Sequence, residues 1–223
     1  MANMRGRFIT LEGGEGTGKS TQAALLAQRL KAHGIAVVLT REPGGSPGAE
    51  IIRHVLLTGV AKPLGVEAEA LLFAAARDDH VRNTIAPALQ RGTWVISDRF
   101  IDSTRVYQGR ELDPKFIRAL ERVTVGDLKP DLTLILDVPA ETGLSRASKR
   151  RGGKDVADRF EAEALSYHKE LRDAYRRLAA AEPARCALID ATEPEGKVAE
   201  RVWKAVRERL SPAIAPMLAD VAS

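Results

Sequence analysis

From Gly13 to Ser20 the chain reads Gly-Gly-Glu-Gly-Thr-Gly-Lys-Ser, a glycine-rich octet closing on a lysine and a hydroxyl, directly after the apolar run Phe8-Ile9-Thr10-Leu11. That spacing, G-x-x-x-x-G-K-[ST] between a strand and a helix, is a phosphate-binding loop. Glycines let backbone N–H groups turn inward around a polyphosphate, and the helix after the loop adds the positive end of its dipole. Lys19 supplies a mobile cation for the β- and γ-phosphates, and Ser20 offers a ligand to Mg²⁺. Gly13, Gly14, Glu15, Gly16, Thr17, Gly18, Lys19, Ser20 and Thr21 are therefore the candidate ATP-phosphate site.

Other residues suit a second phosphate and its carrier. Trp94-Val95-Ile96-Ser97-Asp98-Arg99 is an apolar run ending in an acid, where proteins with such a loop keep a carboxylate for the metal. Asp98 would organise Mg²⁺ directly or through water and Arg99 would clamp a phosphate; an exposed ion pair at a strand end is the competing reading. The D-x-x-G and N-K-x-D patterns of a GTPase switch are absent from the sequence. Arg41 opens Arg41-Glu42-Pro43-Gly44-Gly45 after another apolar run. A guanidinium there offers two parallel hydrogen bonds to a monophosphate, although a tight turn with a solvated arginine fits the same residues. Phe73 and Arg77 stand four apart and share a helix face. Together they could stack on a base and reach its carbonyl; a core ring beside a snorkelling arginine is the alternative.

Apolar runs alternate with helical patterns along the whole chain, as an α/β fold with a parallel sheet covered by helices requires. Strands are expected at Phe8–Glu12, Ala36–Thr40, Trp94–Asp98, Leu132–Asp137 and Cys186–Asp190. Helices are expected over 20–33, 48–58 behind Pro47, 66–90 with a break, 114 to Gly126 behind Asp113, 139–149, 158–180 and 195–210. The tail 211–223, with Pro212 and Pro216, has little helical or strand logic and reads as an extension. Ligands of open parallel sheets bind beyond the carboxyl ends of the strands, where the glycine-rich loop, Arg41 and Asp98-Arg99 all fall.

With 223 residues and 44% hydrophobic content, one elaborated domain over 1–223 is expected. Apolar stretches fall short of the ~20 residues that span a bilayer and the N-terminus has no signal-peptide core, so no membrane partner and a cytoplasmic location are expected. Cys186 stands alone, which excludes an intrachain disulfide and a multi-cysteine metal site. A net charge of +4 could suit nucleic acid, but the basic residues mostly alternate with acids as on a solvated face, and no nucleic-acid partner is expected.

Six segments, in order, resemble the thymidylate kinase family: Glu12 to Thr21, Thr40-Arg41-Glu42-Pro43-Gly44-Gly45, Leu72-Phe73-Ala74-Ala75-Ala76-Arg77, Ser97-Asp98-Arg99, Ser103-Thr104-Arg105-Val106-Tyr107-Gln108-Gly109 and Ile189-Asp190-Ala191-Thr192. The resemblance covers almost the entire chain. It implies a P-loop nucleoside-monophosphate kinase fold, a five-stranded parallel sheet flanked by helices with a mobile lid, and ATP- and Mg²⁺-dependent phosphorylation of dTMP to dTDP for dTTP supply. Matched residue by residue, Glu15 is implied near the deoxyribose 3′-hydroxyl and Arg99 on the acceptor phosphate, with Arg41, Pro43 and Arg53 also at the dTMP site. Phe73 is implied on thymine, Arg77 at a base carbonyl, Thr104 and Gln108 along the polar edge, and Tyr107 against the sugar, where it would crowd a ribose 2′-hydroxyl. Asp190, Ala191 and Thr192 would border the adenine.

The stretch 145–159 resembles the family's lid. Its basic cluster Arg146, Lys149, Arg150, Arg151 and Lys154, with Gly16 where some relatives place a loop arginine, is similar to the bacterial arrangement. It implies Arg146, Arg150 and Arg151, with Lys19, Asp98 and Arg99, as candidate catalytic residues. Asp158-Arg159-Phe160-Glu161 resembles the element anchoring the lid hinge, and family members are usually homodimers. A kinase of another deoxynucleotide and a P-loop ATPase without a metabolite acceptor are the competing functions. Phe73, Arg77 and Gln108 favour a pyrimidine bearing carbonyls.

Overall fold

The computed structural model describes residues 5–151, 160 and 163–219. Five strands, Phe8–Glu12 (β1), Val37–Arg41 (β2), Trp94–Asp98 (β3), Leu132–Asp137 (β4) and Cys186–Asp190 (β5), pair in parallel in the order β2-β3-β1-β4-β5. Every residue of β1 is buried, as expected of a central parallel strand covered on both faces. Because β1 lies between β3 and β4, chain order reverses direction beside it, and this switch point is where open sheets bind ligands. Register then sets Leu11 opposite Asp98 and Arg41 opposite Asp98 from the other side. The three sequence motifs thereby converge at one edge.

Helices span Lys19–Ala32 (α1), Pro47–Leu57 (α2), Val66–His80 (α3), Ala86–Gln90 (α4), Ile101–Tyr107 (α5), Pro114–Thr124 (α6), Ala140–Arg151 (α7), Leu165–Ala181 (α8) and Glu195–Ala219 (α9). Strand alternation divides the core. Ile9, Leu11 and Leu134 pack with Leu26 and Leu30 of α1 and Val202, Trp203 and Val206 of α9. Phe8 and Val95 pack instead with Ile85, Leu89 and Phe100, while Ile135 and Cys186 pack with Tyr107, Leu171 and Tyr175. Burial pushes the Cys186 thiol up to about 11, which leaves it an inert core residue.

Four of the five strands have the expected ends, and β2 begins and ends one residue later than expected. Asp113 caps α6 by accepting from the Lys115 N–H at 2.7 Å, with Pro114 in the first turn. The break expected within 66–90 is a π turn at Val81–Ile85, just before Pro87, whose ring and missing N–H leave the ordinary helical ladder incomplete. Three expectations need correction. Helix α5, which carries Thr104 and Tyr107, is additional to the helices expected. Helix α8 begins at Leu165, not at 158; Phe160 lies in a turn, and Asp158, Arg159 and Glu161 fall outside the described residues. Helix α9 does not stop at 210: its backbone runs through Pro212 and Pro216 to Ala219, in a segment where alanines favour the helix. Among the described residues no helix is long and apolar enough to cross a membrane.

Candidate functional site

A cleft of about 250 Å³ opens at the carboxyl ends of β1, β2 and β3. The glycine-rich loop forms its floor. Gly16 adopts φ 65°, and a Cβ there would lie 1.9 Å from the Gly143 carbonyl of α7. A Cβ on Gly143 would in turn lie 2.4 Å from the Glu15 carbonyl. This close approach seats α7 against the loop and leaves no room for a side chain at position 16 without moving the α7 backbone.

At the loop's end, Lys19 is buried and its ammonium donates to the carbonyls of Gly13 at 3.1 Å and Gly14 at 2.7 Å. Burial, with Arg99 nearby, lowers its pKa, against the opposing pull of Glu15, Asp98 and Glu12. Ser20 Oγ donates to Asp98 Oδ2, so the two expected Mg²⁺ ligands meet directly. Hard oxygen donors without nitrogen or sulfur suit Mg²⁺, which keeps waters and phosphate oxygens in its shell. Consistent with so few protein ligands, the described residues hold no cluster of three His, Cys, Asp or Glu able to bind a metal.

Arg99 is the one non-glycine residue at positive φ, 72°, among the described residues. Its conformation costs about 1–3 kcal/mol and persists only where the surroundings fix it. Its N–H donates to the Leu11 carbonyl at 2.9 Å, and its carbonyl accepts from Ser97 Oγ at 2.7 Å. The guanidinium Nη2 meets Glu15 Oε1 at 2.5 Å, and the group lies 5.1 Å over the Tyr107 ring. Tyr107 also donates its hydroxyl to Glu15 Oε1 at 3.0 Å. Burial acts to raise the Glu15 carboxyl, but Arg99, Lys19 and Tyr107 overcome it and hold the group at about 2. Burial raises the Tyr107 phenol well above its usual value, keeping it a neutral donor.

The far wall carries the residues expected at the base. Phe73 faces Phe160 with ring centroids 6.3 Å apart, and Phe160 meets Tyr107 edge-on at 5.5 Å. Arg77 is 3% exposed, which removes the snorkelling alternative. It donates to Glu42 Oε2 at 2.8 Å, Thr104 Oγ1 at 3.0 Å and the Phe100 carbonyl at 3.2 Å while still lining the cleft. Gln108 donates to Glu69 Oε1 at 3.1 Å. Arg41 forks onto Glu50 at 3.0 and 3.1 Å, and Arg53 Nη1 holds the Pro43 carbonyl at 2.5 Å. Arg41, Pro43 and Arg53 all border the cleft.

The residues expected at adenine lie outside this cleft, at the end of β5, with Asp190 and Thr192 exposed and Ala191 between them buried. Asp190 accepts from the Thr192 N–H at 3.0 Å and Oγ1 at 2.6 Å, and Arg201 holds it from α9 at 2.8 Å. The Thr192 hydroxyl and N–H, with Arg201 adding to them, lower its pKa. Arg146 donates to the carbonyls of Ala191 and Thr192, both at 2.8 Å, and so ties α7 to this segment. Arg150 lines the cleft and Lys149 is exposed. Arg151 ends α7, and the expected lid residue Lys154 lies outside the described residues.

Glu12, Ser103 and Tyr175 surround Arg99; the first two fall within matched segments but carry no role there, and Tyr175 falls outside every segment. Tyr175 is distant in sequence and lies in an ordinary helical pattern, so nothing there marks it. Glu12 carries a signal: an acid ending a wholly apolar strand must find partners when buried.

The thymidylate kinase family model matches residues 11–202. The chain is 64% identical over 213 residues to the thymidylate kinase of Bradyrhizobium sp. (strain ORS 278), covering 95% of this chain and 94% of that protein. It is 63% identical over 212 residues to that of Afipia carboxidovorans, covering 94% and 92%. The crystal structure of thymidylate kinase from Ehrlichia chaffeensis aligns with a TM-score of 0.71 at 33% identity, over 91% of this chain and 99% of that one.

Proposed function

Because the chain belongs to the thymidylate kinase family and phosphorylates dTMP to dTDP with ATP as donor, we propose that the cleft beside the glycine-rich loop receives dTMP and that the loop itself receives the phosphates of ATP. The observation that carries this division is the single cleft shared by Lys19, Arg99, Phe73 and Tyr107. Phosphate-binding, sugar-packing and base-stacking groups succeed one another along it.

In this reading Phe73 stacks on thymine, with Arg77, Thr104 and Gln108 along its polar edge. Tyr107 packs against the deoxyribose and Glu15 meets the 3′-hydroxyl. Arg99, with Arg41 and Arg53 at the rim beside Pro43, clamps the acceptor phosphate. Lys19 leaves the Gly13 and Gly14 carbonyls to track the donor phosphates, and the loop amides orient them. Arg150, with the basic residues of 145–159, brings positive charge to the transferring phosphoryl; such transfers depend on positioning and charge neutralisation more than on covalent chemistry. Ser20 and Asp98 would hold Mg²⁺, which neutralises phosphate charge when bound. Asp190, Ala191 and Thr192 border the adenine, now with Arg146 fixing their backbone.

The active unit in this proposal is a homodimer working in the cytoplasm. Exposed Ile51, Val60, Leu64, Leu71 and Val123 on or between the adjoining α2, α3 and α6 support a face for a second copy.

Phe73→Ala tests the division of the cleft. Base–aromatic stacking is worth roughly 1–3 kcal/mol, so the KM for dTMP should rise ~10-fold or more while the KM for ATP stays within ~2-fold. Equal changes in both would place Phe73 in the core and remove the base site from this wall.

A further inference from the structure

Glu12 ends β1 with its side chain 0% exposed, beneath Arg99 and its neighbours. Oε1 accepts the Phe100 N–H at 2.8 Å, the peptide directly after the positive-φ Arg99. Oε2 accepts the Ser103 hydroxyl at 2.7 Å and the Tyr175 hydroxyl at 2.9 Å. Those same two hydroxyl oxygens lie against the Arg99 guanidinium, Ser103 at 3.3 Å and Tyr175 at 3.5 Å from Nη1. Each hydroxyl gives its proton to Glu12 and turns a lone pair toward Arg99. One carboxylate thus fixes both ends of Arg99, the backbone through Phe100 and the guanidinium through two relayed hydroxyls.

We propose that Glu12 is a positioning residue for the acceptor phosphate: it holds Arg99 in its left-handed conformation and sets the direction of its guanidinium through Phe100, Ser103 and Tyr175. The proposal rests on the reading that Arg99 clamps that phosphate. Its chemistry asks for an acceptor at both oxygens. An amide at the same place has one oxygen and one NH₂. Facing the NH₂ toward Ser103 and Tyr175 turns their hydroxyl protons toward the already proton-rich guanidinium; facing it toward Phe100 sets two donors against each other. Burial, with Asp102 adding to it, pushes the Glu12 carboxyl up to about 7, so the acceptor form predominates in assays at about pH 8.

The test is a double-mutant cycle in steady-state kinetics at about pH 8, with Glu12→Gln, Arg99→Ala and the pair, each varied in dTMP and in ATP. Glu12→Gln should lower kcat/KM for dTMP ~10-fold or more, as for loss of hydrogen bonding to a charged group, and leave the KM for ATP within ~2-fold. In the Arg99→Ala background the same change should have little further effect. A loss that is undiminished there, or no loss in Glu12→Gln alone, overturns the proposal while leaving the Arg99 reading intact. No effect of Arg99→Ala on dTMP overturns both. Should Glu12→Gln fail to fold, Tyr175→Phe and Ser103→Ala carry the test. Each removes one relay, and each should raise the KM for dTMP and not for ATP; unchanged dTMP kinetics in both overturns the proposal.

Discussion

The two halves of the site are built differently. On the side proposed for the acceptor the inner polar groups are paired before any ligand arrives, Arg77 with Glu42 and Thr104 and Gln108 with Glu69 fully buried and Arg99 with Glu15 partly so, while Arg41 and Glu50 pair in the open at the rim. On the side proposed for the donor, the segment Asp190–Thr192 has an exposed acid at its head and is held by arginines reaching from α7 and α9 to its carbonyls and carboxylate. Groups fixed before binding lose little freedom when the ligand arrives, so shape and hydrogen-bond direction can select it. In the proposed donor site, a segment held through its backbone would discriminate less. Selectivity should therefore reside in the acceptor half, and damage there should be specific to one substrate.

Lys19 stands where the halves meet, and its loss should have the largest effect. Lys19→Ala should lower kcat at least ~100-fold, the scale of removing one preorganised electrostatic contact from the transition state. Near-normal turnover in a folded variant would dissolve the boundary between the halves.

Tyr107 sharpens the acceptor side. Its ring packs under Arg99 and against Phe160 while its hydroxyl holds Glu15, two roles that substitution can separate. Tyr107→Phe should keep the preference for dTMP over its ribonucleotide counterpart, with some loss of activity through Glu15. Tyr107→Ala should narrow that preference, mainly through lower activity on dTMP, by the ~1–3 kcal/mol typical of a steric filter. The ratio of kcat/KM values for the two nucleotides decides it; an unchanged ratio in the alanine variant moves sugar selection elsewhere.

Arg146 probes the donor side and should give the smallest change. Removing its two hydrogen bonds to the Ala191 and Thr192 carbonyls should raise the KM for ATP ~5-fold, near the worth of one ordinary hydrogen bond, and leave dTMP kinetics unaltered. A fall in kcat of ~100-fold with KM for ATP unchanged would place Arg146 at the phosphoryl group.

The architecture was legible because apolar runs such as Phe8–Glu12 and Trp94–Asp98 have one structural use in an α/β chain, and parallel pairing gathers the loops at their carboxyl ends on one edge of the sheet. The glycine-rich loop was legible for the same reason: glycine, lysine and hydroxyl at fixed spacing answer to the phosphate, not to the rest of the fold. What stayed hidden depends on long-range pairing. Arg77 is legible as a candidate for a base carbonyl, but its interior partner Glu42, thirty-five positions away, is not. Arg146 fell within a run of basic residues, and only the neighbouring β5 loop reveals that its charge is directed to carbonyls. Tyr175 sits 163 positions from Glu12, and no local pattern joins them. Helix α5 is short, and its seven residues are held by packing under the sheet more than by propensity.

The claim that the acceptor half is a separately built clamp is tested most directly by calorimetric titration of Arg99→Ala with dTMP and, separately, with a non-hydrolysable ATP analogue. The account predicts that dTMP binds ~10-fold or more weakly, the cost of a lost charge-assisted contact, while the analogue binds within ~2-fold of the unaltered protein. Equal weakening of both ligands, or of neither, would contradict it.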